Sequence, residues 1–312
     1  MSPNPSDITL VTCDNQLALA ASDRVLHSVL EAAGVCVNVA SWRDKAFDWS
    51  ATRMAVLRSA WDSHLRAAEF RDWLMKVSSM TALCNPAPTV RWNFDKHYLM
   101  ELQDAGVVTI PSIYVASHSN TDFAKHDIPW DRAVVKPAIG GSSYGVRRFD
   151  VDTQIEALND HVRALRCTGA LLQRFEPTVE TLFERSLIFI DGRFTHAVLR
   201  VPFNQGNTPD SDEFDHKPSS GEIAFSMSVL KSANAMNLPF ARVDLLPISD
   251  GIVLMELELI DPSLFLTRSN CAAQKLGACL LTRLESLSKP VQIAQEFRDR
   301  PERPKDQLRR TK

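Results

Sequence analysis

Glycine is scarce in this chain, at 11 of 312 residues, so any place that concentrates it carries information. Long apolar runs are missing too. Stretches such as Ile252 to Met255 fall far short of the length that spans a bilayer, which excludes a membrane-spanning helix. The opening MSPNPSDITLVTC has no basic stretch followed by an apolar one and reads as having no export signal, so a cytoplasmic protein is expected. Neither sign of charge dominates, with 35 basic against 38 acidic residues and a net charge of -3. That balance gives neither a nucleic-acid footprint nor a preference for a membrane surface. The six cysteines (Cys13, Cys36, Cys84, Cys167, Cys271 and Cys279) include no pair at the spacing of a zinc knuckle or redox motif. They read as buried free thiols in a reducing compartment. No repeats or low-complexity tracts appear.

What is present is enough apolar sequence, 45%, to bury a sizeable core in two or more packed subdomains. ITLVTC (8–13), VCVNVA (35–40) and MAVLRS (54–59) read as buried strands, separated and followed by helices over 22–33 and 67–80. Gly34 ends the first of these. Such alternation predicts a parallel, doubly wound sheet with its ligand crevice at the carboxyl ends of the strands. Asn85-Pro86-Ala87-Pro88 marks a boundary, and a helix is expected from Asp95 to Ala105. Beyond Leu171 the pattern turns β-rich (LLQRF, RSLIFI, FTHAVLRV), with a hairpin signal at Asp191-Gly192 and a second strand pair around Asp250-Gly251. The polar stretch 203–222 reads as a lid or a disordered loop. A helix is expected over 223–237 and another from Asn270 to Leu287. The charged tail PERPKDQLRRTK reads as disordered.

Three segments carry chemistry. The first is the run from Val134 to Val146, where three of the glycines, Gly140, Gly141 and Gly145, lie within six residues beside Ser142 and Ser143. Glycines allow backbone N–H groups to approach phosphate oxygens, and Lys136 ahead of them supplies a cation. The lysine precedes the glycines, so this is neither a GxxxxGK[ST] loop nor a GxGxxG turn. The plainer alternative is a hairpin turn. The second segment pairs Arg242-Val243-Asp244 with Met255-Glu256-Leu257-Glu258. Glu256 and Glu258 are two apart, so a strand points both to one face. With Asp244 they read as a hard, all-oxygen Mg²⁺ site, against the alternative of a solvated sheet face. The third, LQRFEPTVE (172–180), is an ordinary strand exit or a hinge for an adenine edge, with Glu180 on the ribose. Arg58, Asp62 and His64 follow the third strand near the expected crevice and are candidates for substrate recognition. Alternatively they begin a helix, with Asp62 as its cap. The remaining histidines read as structural or solvated.

The order of these parts resembles the ATP-grasp superfamily across residues 90 to 270. Lys96 in NFDKHYLMELQDAGV comes first, then Lys136 with its Gly/Ser loop, LLQRFEPTVE, FIDG-x-FTHAV, Arg200, and RVD with MELELIDPSLFL. The resemblance is closest to the glutathione-synthetase-like branch, and within it to cycloserine synthetase-like proteins, through VLRSAWDSHLR, NP..VRWNFDK and MELELIDPSLFL. Leu182-Phe183 stands where relatives often carry Glu-Gly, and Val201 where many have a second basic residue.

The resemblance implies an ATP-grasp α/β fold in three parts: a Rossmann-like N-terminal subdomain (1–88), a central lid (89–172) and a C-terminal subdomain with the metal site (173–290), ahead of the tail (291–312). It implies ATP and Mg²⁺. Lys96, Lys136 and the Gly140–Gly145 loop would hold phosphates, Gln173 and Phe175 would line the adenine pocket, and Glu180 would hold ribose. Asp244, Glu256 and Glu258 would bind metal, and Arg200 and Arg242 would stabilise an acyl phosphate. The implied activity joins a carboxylate to an amine on an amino-acid-like small molecule, by ring closure within one molecule. Joining two amino acids, or phosphorylating a small molecule, are the alternatives. A homodimer is the implied assembly, with neither nucleic acid nor membrane as partner.

Overall fold

The computed structural model describes residues 6–201, 213–269 and 271–287, arranged on three sheets. The first sheet is parallel, in the order β2-β1-β3-β4, from β1 (Ser6–Thr12), β2 (Val37–Ser41), β3 (Thr52–Ser59) and β4 (Ala82–Cys84). Helices α1 (Ala21–Ala32) and α2 (Ala67–Ser78) serve as its connections and bury apolar stripes: Leu26 and Leu30 on α1, Phe70, Trp73, Leu74 and Val77 on α2. Gly34, at φ +81°, takes the left-handed turn that stops α1. Sequence reasoning misses β4, only three residues long. It also starts the next helix too late, because α3 (Ala87–Asn93) begins directly after Pro86 and α4 (Tyr98–Asp104) follows it, in place of one helix from 95 to 105. A proline in the first helical turn costs nothing, since its missing N–H would have no helical partner there.

The central sheet is antiparallel, in the order β5-β8-β6-β7: β5 (Ser112–Val115), β6 (Arg132–Pro137), β7 (Arg147–Asp150) and β8 (Ala170–Arg174). Helix α5 (Val151–Ala164), absent from the sequence reading, starts where the Asp150 side chain accepts from the Thr153 N–H at 3.1 Å. This sheet has its own core, with Ile113, Val135, Leu158 and Leu172 at its centre.

The C-terminal sheet is also antiparallel. Its order is β11-β10-β9-β12-β13, from β9 (Glu184–Ile190), β10 (Arg193–Arg200), β11 (Glu213–His216), β12 (Phe240–Ile248) and β13 (Gly251–Glu258). Asp191 and Gly192 both take positive φ, +49° and +68°, as the tight β9–β10 hairpin requires. Helix α6 (Ser220–Ser232) begins earlier than 223, because Ser219 and Glu222 form a reciprocal capping box, and it also stops before 237. Helix α7 (Ala272–Leu287) closes against α1, so tightly that a Cβ on Gly277 would meet Val29 Cγ1 at 2.7 Å.

The cores explain how the parts are held. Ile8, Leu10 and Leu30 share one cluster with Ile188, Phe240 and Leu276, so the first and C-terminal sheets form a continuous body. Tyr98, Leu99 and Leu102 share a cluster with Leu187, Phe189 and Leu257 of the C-terminal sheet and Leu171 of the central one, which places α4 between them. None of the six cysteines is in a disulfide, but only Cys13 and Cys84 are buried; Cys36, Cys167 and Cys271 are exposed, against expectation. Among the described residues no helix is long and apolar enough to cross a membrane. Of the polar stretch, 213–216 forms β11 on the edge of the sheet, while 203–212 and the tail 291–312 lie outside the described residues, as does the start of the chain at 1–5.

Candidate active site

All three sheets contribute to the walls of one cleft of about 800 Å³. That volume takes a nucleotide together with a small acid. The central sheet supplies Lys136, the 140–144 loop, Gln173 and Phe175; the C-terminal sheet supplies Arg200, Arg242, Glu256 and Glu258; the β3 exit supplies Trp61 and His64.

The glycine-containing loop joins β6 to β7, so it is both a hairpin connection and a wall of the cleft. Ser142, Ser143 and Gly145 all sit in the left-handed region, at φ +50°, +56° and +69°. Only a strongly determined loop holds serines there, and such strain gathers at ligand clamps. A Cβ on Gly145 would come 3.0 Å from Pro137 Cγ, and one on Gly140 would come 3.2 Å from Pro137 Cβ. His161 on α5 anchors the loop through the Gly145 carbonyl at 2.8 Å. Lys96 latches it from the other side: its Nζ donates to the Gly140 carbonyl at 2.8 Å and lies 2.9 Å from Glu256 Oε1.

Opposite the loop, β12 and β13 pair Asp244 with Glu256 and Arg242 with Glu258. Charge compensation sets this wall. Arg242 grips Asp244 with Nε at 2.9 Å and Nη2 at 2.9 Å, and reaches Glu258 Oε1 at 2.5 Å. Arg200 donates to Ser186 Oγ at 2.9 Å and Asp244 Oδ2 at 3.1 Å, and pairs with Glu184. Burial alone would raise the Glu256 carboxyl, but Lys96 and Lys136 outweigh it and hold the group below its usual range. Burial, with Asp244 and Glu256 nearby, pushes Glu258 up despite Arg242. Burial likewise lowers the Lys136 ammonium, opposed by Glu256 and reinforced by Lys96. Among the described residues Lys136 has no hydrogen-bond or ion-pair partner, leaving its charge to a ligand.

The expected three-carboxylate face needs correcting. Among the described residues no group of three His, Cys, Asp or Glu side chains is arranged to hold a metal ion. Asp244 is fully buried and turned into Arg242 and Arg200, which supply the positive charge that the sequence reading assigned to a metal. Glu256 and Glu258 remain on the cleft wall with side chains 24% and 33% exposed. Two carboxylates facing a phosphate-sized cradle fit Mg²⁺, which is held by one or two carboxylates together with phosphate oxygens.

Other expected residues divide. Gln173 and Phe175 line the cleft, and the Arg132 and Arg148 guanidiniums lie 4.5 and 4.8 Å from the Phe175 ring centroid. Glu180 does not reach the cleft: it is exposed and pairs with Arg148 at 2.5 Å, so the ribose role fails on geometry. Arg58 is wholly buried, with Nε on Asp23 at 2.9 Å and Nη2 on the Pro262 carbonyl at 2.9 Å; it holds chain, not substrate. Asp62 is spent on Trp42 Nε1 at 2.7 Å and does not act as a cap. His64 alone of that trio lines the cleft, 5.4 Å from the Tyr144 ring, its pKa lowered by burial.

Sequence reasoning also missed residues that hold the wall in place. Asn93 on α3 donates to the Leu257 carbonyl and accepts from the Leu259 N–H, both at 2.8 Å, and the Tyr98 hydroxyl accepts from Leu257 N–H at 2.9 Å. These side chains satisfy the open edge of β13 and fix the direction of Glu256 and Glu258. Both lie within the segments that carry the family resemblance, but nothing local shows that their side chains turn onto β13.

A parallel N-terminal sheet, an antiparallel lid sheet with a glycine loop, and a carboxylate-bearing C-terminal sheet around one cleft define an ATP-grasp ligase. Residues 8–85 match the family model described as the N-terminal domain of D-cycloserine synthetase DcsG. The chain is 33% identical over 274 residues to the cycloserine biosynthesis protein DcsG of Streptomyces lavendulae, covering 81% of this chain and 90% of that one. A crystal structure of D-cycloserine synthetase DcsG superposes with a TM-score of 0.82 at 31% identity, over 89% of this chain and 99% of that one. D-alanyl-alanine synthetase A from Vibrio cholerae O1 biovar eltor shares the fold, with a TM-score of 0.66 at 14% identity over 91% and 100% of the two chains. The chain belongs to the D-cycloserine synthetase family of ATP-grasp, carbon–nitrogen-forming ligases.

Proposed function

We propose that this enzyme uses ATP and Mg²⁺ to activate the carboxylate of an amino-acid-like molecule and closes a small ring within it, in the biosynthesis of an antibiotic of the cycloserine kind. The observation that carries the reading is Lys96 and Lys136 facing Glu256 and Glu258 beneath the glycine loop, in a chain one-third identical to a cycloserine biosynthesis protein. Lys96, Lys136 and the Gly140–Gly145 loop hold the phosphates of ATP. Gln173 and Phe175 line the adenine end. Glu256 and Glu258 hold Mg²⁺, with Asp244 behind them, and the ion neutralises phosphate charge when bound.

A carboxylate oxygen of the substrate attacks the γ-phosphorus and ADP leaves, forming a mixed anhydride. The substrate's own nitrogen attacks the carbonyl carbon, loses a proton, and expels phosphate bearing the former carboxylate oxygen. Arg200 and Arg242 face the charge that develops on the anhydride. The loop, once closed, keeps water from hydrolysing it. The same reading makes this a cytoplasmic, small-molecule enzyme, with a homodimer as the assembly to test by sedimentation.

The test is ATP-dependent phosphate release with a panel of amino acids, singly and in pairs, with products identified by mass. Turnover on a single compound with loss of one water supports ring closure. Turnover only with pairs replaces it with ligation of two molecules, and a product heavier by a phosphoryl group replaces it with a kinase.

A further inference from the structure

Glu256 and Glu258 are not the last acids on the cleft wall. Asp261, just past the end of β13, also lines it, and its Oδ2 is buried without any hydrogen-bond partner among the described residues. A carboxylate oxygen left so is costly, and native structures seldom keep one without a use. The residue is held firmly. The Ala60 N–H donates to the carboxyl group, Trp61 Nε1 donates to the Asp261 carbonyl at 3.1 Å, and Arg58 donates to the Pro262 carbonyl at 2.9 Å. Three residues at the β3 exit thus clamp one turn, and Trp61 lines the cleft beside it.

We propose that Asp261 is the binding residue for the ammonium group of the amino-acid substrate, with Trp61 walling that subsite. The proposal rests on the ligase reading for what the cleft binds, and adds which group is recognised and by what. An ammonium supplies the missing partner for Oδ2, and among the described residues no side chain bonds it. Arg58 spends Nε on Asp23 and Nη2 on Pro262, and its remaining Nη1 has no hydrogen-bond partner among the described residues. Burial pushes the Asp261 carboxyl up to about 7, with Glu258 adding to the rise and Arg58 opposing it. A cation is what such a group lacks.

The experiment measures binding of a panel of free amino acids of both hands, cycloserine, and their N-acetyl derivatives to full-length enzyme loaded with AMPPNP and Mg²⁺, by calorimetry. The wild type is compared with Asp261→Asn, which keeps shape and removes charge, and melting temperatures are recorded. The expected result is that free amines which bind the wild type bind D261N at least about 30-fold more weakly. N-acetyl forms should bind neither protein, and AMPPNP affinity should be unchanged. Equal binding of free and N-acetyl forms overturns the proposal, as does D261N binding within threefold of wild type, or no panel member binding the wild type. A lowered melting temperature with discrimination intact also overturns it and makes Asp261 a structural partner of Arg58. Binding that follows the expected pattern, by an enzyme that releases no phosphate from ATP in a parallel assay with the same compounds, would fail the ligase reading while leaving the ammonium subsite standing.

Discussion

Lys96 and Glu256 form an ion pair of 2.9 Å across the cleft floor, and the same Nζ holds the Gly140 carbonyl at 2.8 Å. One side chain therefore couples the carboxylate wall to the glycine loop. Replacing Lys96 with Ala frees the loop and leaves Glu256, in a largely buried place, with the charge of Lys136 but no ion pair of its own. The expected outcome is a loss of about 10²–10³ in kcat/KM for ATP, measured by steady-state phosphate release. Glu256→Gln should reduce turnover at least as far. Normal turnover by that variant would remove Glu256 from the metal site.

The loop's backbone should be as important as its charges. Gly145→Ala puts a Cβ 3.0 Å from Pro137 Cγ at φ +69°, a strain of about 1–3 kcal/mol that falls on the cradle. KM for ATP should rise roughly tenfold, with little change in the melting temperature because the tip of the loop, Gly141 to Tyr144, is exposed. Gly34 also has positive φ but open space around it, so Gly34→Ala should leave KM for ATP unaltered.

Asn93 makes two hydrogen bonds to β13, flanking Glu258. Asn93→Ala should cost about 2 kcal/mol of stability by leaving a buried N–H and C=O unpaired. It should also raise the Mg²⁺ concentration needed for half-maximal activity, since the direction of both glutamates depends on that edge. Chemical denaturation and a Mg²⁺ titration read the two effects separately.

The acid stability of the fold should show Glu222. Burial alone would raise its pKa, but the Ser219 N–H, His216 and Arg185 bring it down to about 2. A folded pKa below the unfolded value stabilises the protein above pH 4.5, and that stabilisation is lost as the pH falls towards 2. At neutral pH the carboxylate contributes about 3 kcal/mol by this shift. Glu222→Gln should therefore melt below the wild type at pH 7, with the gap narrowing through pH 3 and closing only as the pH falls below about 2.

The sequence showed most of what periodic patterns and glycine placement can show. The first three strands of the first sheet, the Asp191-Gly192 hairpin and the glycine-containing loop were legible because each has a local physical signature. The ordered set of lysines, glycines and acids made the family resemblance visible across 90–270. What stayed hidden was set by tertiary contact. Arg58 looked like a cleft residue because it ends a strand, yet Asp23 and Pro262, distant in the chain, draw it inside. Glu180 looked like a ribose ligand by position, and a surface arginine on β7 claims it instead. The carboxylates of β12 and β13 looked as if they needed a metal for balance, because nothing local reveals that Arg200 turns inward on Asp244.

The most direct test of carboxylate activation follows the oxygen. A substrate found by the phosphate-release panel is prepared with ¹⁸O in its carboxylate and turned over with unlabelled ATP, and the released inorganic phosphate is weighed by mass spectrometry. Acyl phosphate chemistry predicts one ¹⁸O atom in each phosphate released. Phosphate without label would contradict it, because the carboxylate would then never have been bonded to phosphorus.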